Sequence, residues 1–198
     1  IMGLRVTDEK MIKIVEEVMI KFNKEIVLAL KKKSCKAKPI TIKENNVIIV
    51  EQESKKLGYV GKPKKINTKI LEDIINKDFV PIITPMGLDY QGQVYNINAD
   101  TTAGAIARNL KSRRLLLVTD VEGVIDKNNK LISEINASKA KKMVNDDTIH
   151  GGMIPKINTC IQAINHGVRG VVIIDGRKPH SILFELFSDK GAGTLIRK

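Results

Sequence analysis

The stretch Arg114 to Thr119, with Leu115, Leu116, Leu117 and Val118 in succession, constrains the fold more than any other part of the chain. A run that is apolar at consecutive positions, not alternate ones, suits a strand buried on both faces of a parallel sheet. Parallel neighbours need crossover connections, and the residues that follow supply them. Residues 138–144 and 154–165 have helical apolar spacing, the second stretch stopped by Gly167. Residues 171–174 are a second apolar strand, and a helix over 180–187 and a strand over 194–196 continue the alternation. Strands alternating with helices predict an α/β layered fold with a mostly parallel sheet.

The first half is less regular. Thr7 is placed to cap a helix with Asp8 and Glu9 in its first turn and Met11, Ile12, Val15, Val18, Met19 and Phe22 at helical spacing. Asn23 then caps a second helix, with Ile26, Val27 and Leu30 on its apolar side, which the lysine run and Ser34 end. Residues 39–43 and 47–50, separated by Glu44-Asn45-Asn46, predict a β-hairpin. Residues 58–61 form a strand or turn, Thr68 opens a helix through Ile75, and residues 79–84 are a short apolar strand. Turn residues over 87–93 predict another hairpin, leading into a strand-like segment at 93–95.

The chain has 198 residues, 42% of them hydrophobic, enough for a buried core in one domain or two small lobes. No apolar run approaches the ~20 residues that span a bilayer, and no apolar segment of signal type follows the opening residues, so no membrane association is expected. Cys35 and Cys160 lie far apart without metal-type spacing and read as reduced thiols of an intracellular protein. The formal charge of +12 raises nucleic acid or an anionic substrate as a partner. The lysines are dispersed, however, with the densest clusters at 31–33 and 62–65, and only three Tyr and four Phe are available to stack on bases. Solvated lysine faces are the reading adopted, with no nucleic-acid partner. His150, His166 and His180 lack metal-ligand spacing, so no protein-held metal is expected.

Three stretches carry chemistry. Asn96-Ile97-Asn98-Ala99-Asp100 ends at an N-cap residue type and feeds a small-residue helix over 101–110, which puts amides and a carboxylate where backbone N–H groups point. The small residues Ala103, Gly104, Ala105 and Ala107 permit close approach to a neighbouring strand. Thr119-Asp120-Val121-Glu122-Gly123-Val124 follows the most apolar strand, at the sheet edge where α/β folds bind ligands, and Gly123 lets backbone approach a nucleotide. Gly151-Gly152-Met153-Ile154-Pro155-Lys156 sets flexible backbone before a helix whose apolar face, Ile154, Ile157, Ile161 and Ile164, leaves Lys156 off the core. Taken singly, each run also suits a plain capped turn, a strand-ending turn or a solvent-exposed lysine.

Together, in this order, they resemble the amino acid kinase family, and the likeness covers nearly the whole chain. The resemblance implies a three-layer αβα sandwich whose first lobe, residues 1–117, binds substrate and dimerises, and whose second, 118–198, binds nucleotide. It implies ATP-dependent phosphorylation of the side-chain carboxylate of N-acetyl-L-glutamate in arginine biosynthesis, with Mg²⁺ carried by the nucleotide. Lys156 would stabilise charge on the transferring phosphoryl group, and Asp100 would hold and orient the catalytic lysines. Arg5, in Gly3-Leu4-Arg5-Val6-Thr7, and Asn96 match positions that bind the acetylated amino acid. Thr119, Asp120, Val121, Glu122, Gly123 and Val124, with Thr148, Ile149 and His150, match nucleotide contacts.

Residues 180–194 are similar to the C-terminal segment of arginine-inhibited members, which implies that His180, Glu185 and the turn at Gly191 receive the inhibitor's guanidinium; an amphipathic helix and turn is the alternative. A homo-oligomer, dimer or hexamer, a PII-type regulator and a location in bacterial cytosol or plastid stroma are further implications. The family's Gly-rich turn with its first catalytic lysine, and a later glycine pair, normally precede the 3–7 match, so roughly the first third of the family pattern is expected to be missing here. At 39–42 the chain reads Pro-Ile-Thr-Ile where members carry a glycine-bearing run. Two other readings stay open: another carboxylate, carbamate or nucleotide as acceptor, and a non-catalytic arginine-sensing module.

Overall fold

The structure is a computed structural model that describes residues 6–198. The chain divides into two compact units, the first ending at Thr102 and the second running from Ala103 to Lys198.

In the first unit, helix α1 (Glu9–Lys32) is one continuous element and not the two predicted. Its N-cap is Asp8, whose Oδ1 accepts from the Met11 N–H at 2.7 Å, with Glu9 in the first turn and Lys31 and Lys32 in the last, as the helix dipole favours. Thr7, expected as the cap, is instead buried: its N–H donates to the Leu57 carbonyl and its carbonyl accepts from the Tyr59 N–H. Asn23 does not start a new helix, because its side chain is buried and its Nδ2 donates to the Ile82 carbonyl at 2.6 Å. A side-chain amide whose N–H group is taken up by a distant strand is not available to cap a new helix.

Strand β1 (Ala37–Ile40) does not pair with its sequence neighbour β2 (Ile48–Gln52), so the predicted hairpin over 39–50 is absent. β1 runs parallel to β4 (Val80–Ile83) instead, with Pro39 opposite Ile82. Its ends, Ala37 and Ile40, are each 1% exposed, so burial across a parallel pair outweighs the local turn. β2 is inner in a second sheet, antiparallel to β3 (Gly61–Ile66) and parallel to β5 (Met86–Leu88), which pairs with β6 (Val94–Asn96) as the expected second hairpin. β3 contains the lysine cluster 62–65, and Glu51 on β2 accepts from Lys62 at 3.2 Å and Lys64 at 3.3 Å. Those two cations hold the Glu51 carboxyl below its ordinary range. Helix α2 (Thr68–Ile75) forms where expected.

Helix α3 (Ala99–Asn109) contains the point where the two units divide. In the second unit the sheet order is β7 (Arg114–Thr119), β9 (Gly170–Asp175), β10 (Gly193–Arg197), β8 (Glu134–Asn136). β7 is outermost, and only Leu115 and Leu117 are buried on it while Val118 is exposed; the strand enclosed on both faces is β9, all six residues of it. Two of the three ladders in this sheet are parallel, and parallel pairs outnumber antiparallel ones among the described strands, in keeping with the expected α/β class.

Helices α4 (Ala137–Asn145) and α5 (Met153–Asn165) pack on this sheet through Ala140, Met143, Ile157, Cys160, Ala163 and Ile164, and α6 (Ser181–Phe187) follows β9. Gly104 allows α3 to approach α5, not a strand: a Cβ there would meet Thr159 Cγ2 at 2.6 Å. Among the described residues no helix is long and apolar enough to cross a membrane.

Gly193 is the tightest point of the β9–β10 ladder, since a Cβ there would lie 1.9 Å from the Ile173 carbonyl oxygen. Urea denaturation is expected to show Gly193→Ala losing about 1–3 kcal/mol; a wild-type midpoint would contradict this register.

Candidate functional site

The C-terminal ends of the parallel strands β7 and β9 lie side by side, with Thr119 opposite Asp175. The Gly176 N–H donates to the Thr119 carbonyl at 2.7 Å, which extends the pairing one step into the loops. After Thr119 the chain turns through Asp120, Val121 and Glu122 to Gly123, at φ 144° and buried against Thr194 and Leu131; a Cβ would sit 2.5 Å from Thr194 Oγ1. That hydroxyl fixes the loop: it accepts from the Val124 N–H at 2.8 Å and donates to the Ile132 carbonyl at 2.6 Å. Gly123 therefore owes its place to the Thr194 contact, and Val124 is core. Asp120 and Glu122 are the exposed, chemically available members of the run.

The loop after β9 was not singled out from the sequence, yet it completes this edge. Asp175 is 2% exposed, and its carboxylate takes Arg177 in a fork: Nε to Oδ1 and Nη2 to Oδ2, each 2.9 Å, with the Arg177 backbone N–H also on Oδ1 at 2.9 Å. Those bonds hold the Asp175 carboxyl well below its ordinary value of 3.8, at about 2. The Arg177 guanidinium is shifted up, first by Asp175 and also by Asp120 and Glu122, and Lys178 pairs with Glu122. The signal was available: Asp-Gly-Arg ends an apolar strand just as Thr-Asp-Val-Glu-Gly does, and the strand-end rule applies equally to both.

Residues 148–150 divide in role. Ile149 is core, with its N–H on the Met143 carbonyl. Thr148 caps back onto Asp146 through its hydroxyl and N–H, which lowers the Asp146 carboxyl, while His150 is exposed. Gly151, at φ 57°, and Gly152 then border open space, with nothing within 4 Å of a Cβ at either. α5 begins at Met153 without a side-chain cap; the Met153 and Ile154 N–H groups donate to the His150 and Gly151 carbonyls at 3.3 and 3.2 Å, Pro155 has no N–H, and Lys156 sits half-buried at the end of the first turn. Open space at a glycine pair ahead of a helix that carries a lysine on its first turn leaves room for an anion such as a phosphate.

In the first unit, β6 ends at Asn96, whose backbone N–H donates to the Tyr59 carbonyl at 3.0 Å and whose carboxamide makes no hydrogen bond to the described residues. The cap of α3 is Asn98, not Asp100: Asn98 Oδ1 accepts from the Thr101 N–H at 3.0 Å and its hydroxyl at 3.3 Å. A helix starting two residues earlier than predicted places Asp100 inside its first turn, half-buried, with its carboxylate not used as the cap. Arg5 lies outside the described residues.

Glu185 is buried on α6 and already holds a guanidinium, that of Arg114, with Nη1 3.2 Å from Oε1. Its Oε2 accepts from the Ala192 N–H at 2.9 Å, and Gly191, at φ 67°, passes so close that a Cβ would sit 2.8 Å from Oε2. His180, at φ 60°, is exposed ahead of α6.

Residues 2–175 match the amino acid kinase family. Over 198 residues the chain is 60% identical to the acetylglutamate kinase of Pelagibacter ubique (strain HTCC1062), covering all of this chain and 69% of that protein. It is 44% identical to the acetylglutamate kinase of Rhodopseudomonas palustris (strain BisB18), with 99% of this chain and 70% of that one covered. Among solved structures, smu.665 from Streptococcus mutans UA159 is similar at TM-score 0.85 and 27% identity, over 100% of this chain and 76% of that one. N-acetylglutamate synthase from Neisseria gonorrhoeae, complexed with coenzyme A and N-acetyl-glutamate, shares the fold at TM-score 0.91 and 23% identity, over 100% of this chain and 46% of that one.

The depressed Asp175 carboxyl gives a pH signature. Its stabilisation is complete above the ordinary carboxylate value and is lost as pH falls through about 2. The stability difference between wild type and Asp175→Asn in urea is expected to stay constant from pH 7 to about 4 and to close toward pH 2; a difference that does not change below pH 4 would contradict the ion pair.

Proposed function

The chain belongs to the amino acid kinase family, and on that premise we propose that it phosphorylates the side-chain carboxylate of N-acetyl-L-glutamate with ATP, giving N-acetyl-L-glutamyl 5-phosphate for arginine biosynthesis. The observation that carries phosphoryl transfer is the open space at Gly151 and Gly152, with Lys156 on the first turn of the helix behind them. The choice of acceptor rests on the relative at 60% identity. Against a carbamate or nucleotide acceptor stands the same identity, which spans the whole chain and includes the Asn96–Asp100 run.

The chemistry needs few groups. A carboxylate is ionised at neutral pH, so its oxygen attacks the γ-phosphorus without a general base while the bond to the β-phosphate oxygen breaks and ADP leaves. The protein's work is to offset charge spread over the phosphoryl oxygens. We assign Lys156, near the positive end of the α5 dipole, to that task. Asp100, inside its helix and not spent on capping, holds and aims lysine ammonium groups. The Asn96 carboxamide, with its hydrogen bonds unspent on the described residues, binds the acetylated amino acid together with Arg5. Asp120, Glu122 and the backbone of 119–124 contact the nucleotide, as do Thr148 and His150, with Ile149 holding their loop in the core. Mg²⁺ would be carried by the nucleotide, on its phosphate oxygens. When bound it neutralises phosphate charge.

Self-association is supported by an exposed apolar row on α1, where Met11, Ile14, Val18 and Phe22 fall at helical spacing. Inhibition by arginine at His180, Glu185 and Gly191 requires the incoming guanidinium to share or displace Arg114 on Glu185. A PII-type regulator rests on family likeness alone. The relatives compared are bacterial, which favours cytosol over plastid.

The test uses the product of the complete gene, its 5′ end fixed by sequencing the transcript upstream of the Ile1 codon. ATP- and N-acetylglutamate-dependent acyl phosphate, trapped as hydroxamate, is expected from wild type. Lys156→Ala should lower kcat by about 10²–10³-fold with little change in KM, and Asp100→Asn by on the order of 10-fold or more. Full activity in Lys156→Ala would overturn the assignment. Arginine binding without turnover would favour a sensing module.

A further inference from the structure

We infer that the second unit holds an anion-binding site at the end of its sheet opposite the nucleotide loops, in a cleft of about 540 Å³ lined by Lys139, Arg169, Arg197 and Lys198. The topology sets the two mouths apart. Thr119 and Asp175 close the C-terminal ends of β7 and β9, whereas β10 runs antiparallel to β9 and parallel to β8, so Arg197 and its partner Asn136 emerge beside the start of β9. Arg169 immediately precedes that start, and Lys139 stands on the first turn of α4.

Cations from three separate elements thus meet in one concavity: a helix, the turn ahead of β9 and the end of β10. Glu134 is the one carboxylate side chain lining the cleft, and it is already committed to Arg197, Nε to Oε1 at 2.6 Å. Lys139, Arg169 and Lys198 have no ion-pair partner among the described residues. Nothing in the proposed phosphoryl transfer uses any of them. A concave site rich in uncompensated cations gathers anions, and several charge-assisted hydrogen bonds to one ligand give it specificity. The volume is that of a small-molecule site. No aromatic side chain lines it, so there is no face on which a base or ring would stack. The chemical class is therefore a compact polyanion carrying two or more carboxylate or phosphate groups.

The test reads binding, not turnover, so its failure is separable from failure of the proposed reaction. Isothermal titration of the protein with pyrophosphate, and separately with citrate, is run at low and high NaCl with a non-hydrolysable ATP analogue present throughout to fill the nucleotide loops. Binding of at least one probe is expected, weakened by added salt and at least tenfold weaker in Arg169→Glu and in Lys139→Glu, with Lys10→Glu on α1 unchanged. Pyrophosphate alone would assign a phosphate ligand and citrate alone a carboxylate. Because both residues are exposed, the reversals should keep the wild-type fold; Arg169→Gln and Lys139→Gln repeat the comparison with a milder change. No heat with either probe, or equal affinity in the Arg169 and Lys139 variants, would overturn the site.

Discussion

The second unit depends on the enclosure of β9. Six consecutive residues of that strand are buried, with β7 hydrogen-bonded on one side and β10 on the other. Burying a strand on both faces commits every side chain to packing and leaves chemistry only at its ends. At one end Asp175 meets Thr119 and gathers Arg177; at the other Gly170 follows Arg169. The glycines that border the strand fit the same constraint, since Gly193 has no room for a side chain beside Ile173 and Gly176 none beside Val118.

Charge is organised around this sheet instead of being spread evenly. At the end where β7 and β9 finish, Asp120, Glu122 and Asp175 alternate with Arg177 and Lys178, and each acid or base has an opposite partner within reach. Such a cluster is preorganised: the side chains are already held when a ligand arrives, so less entropy is lost on binding. The opposite end carries mostly cations. In the first unit Glu51 sits between Lys62 and Lys64, which accounts for part of the basic composition as paired surface charge.

What the sequence made legible was the part of the fold governed by local rules. The helices α2, α4 and α5 and the strands β7, β9 and β10 follow from apolar period, caps and glycine stops. The hairpin expected at 39–50 failed because β1 pairs with β4, some forty residues on, and no local pattern announces a parallel partner. β3 was missed because its lysines and Pro63 mask the strand; its partners on β2 supply the apolar side. Asn23 looked like a cap and is a buried donor to Ile82, and Asp100 looked like a cap where Asn98 holds that place. Of the candidate site, the turn at 119–124 and the glycine pair at 151–152 stood out by composition. Thr194 and Asp175 did not, because their roles come from pairing across the sheet.

In the proposed function, nucleotide phosphates sit beside Gly151, Gly152 and Lys156 and the loop after β7. Amide hydrogen exchange, followed by mass spectrometry with and without a non-hydrolysable ATP analogue, tests it most directly. The account predicts slower exchange in peptides covering 119–124 and 148–156, with peptides of β1 and β4 unchanged. Unaltered exchange in both loops with the analogue demonstrably bound would contradict it.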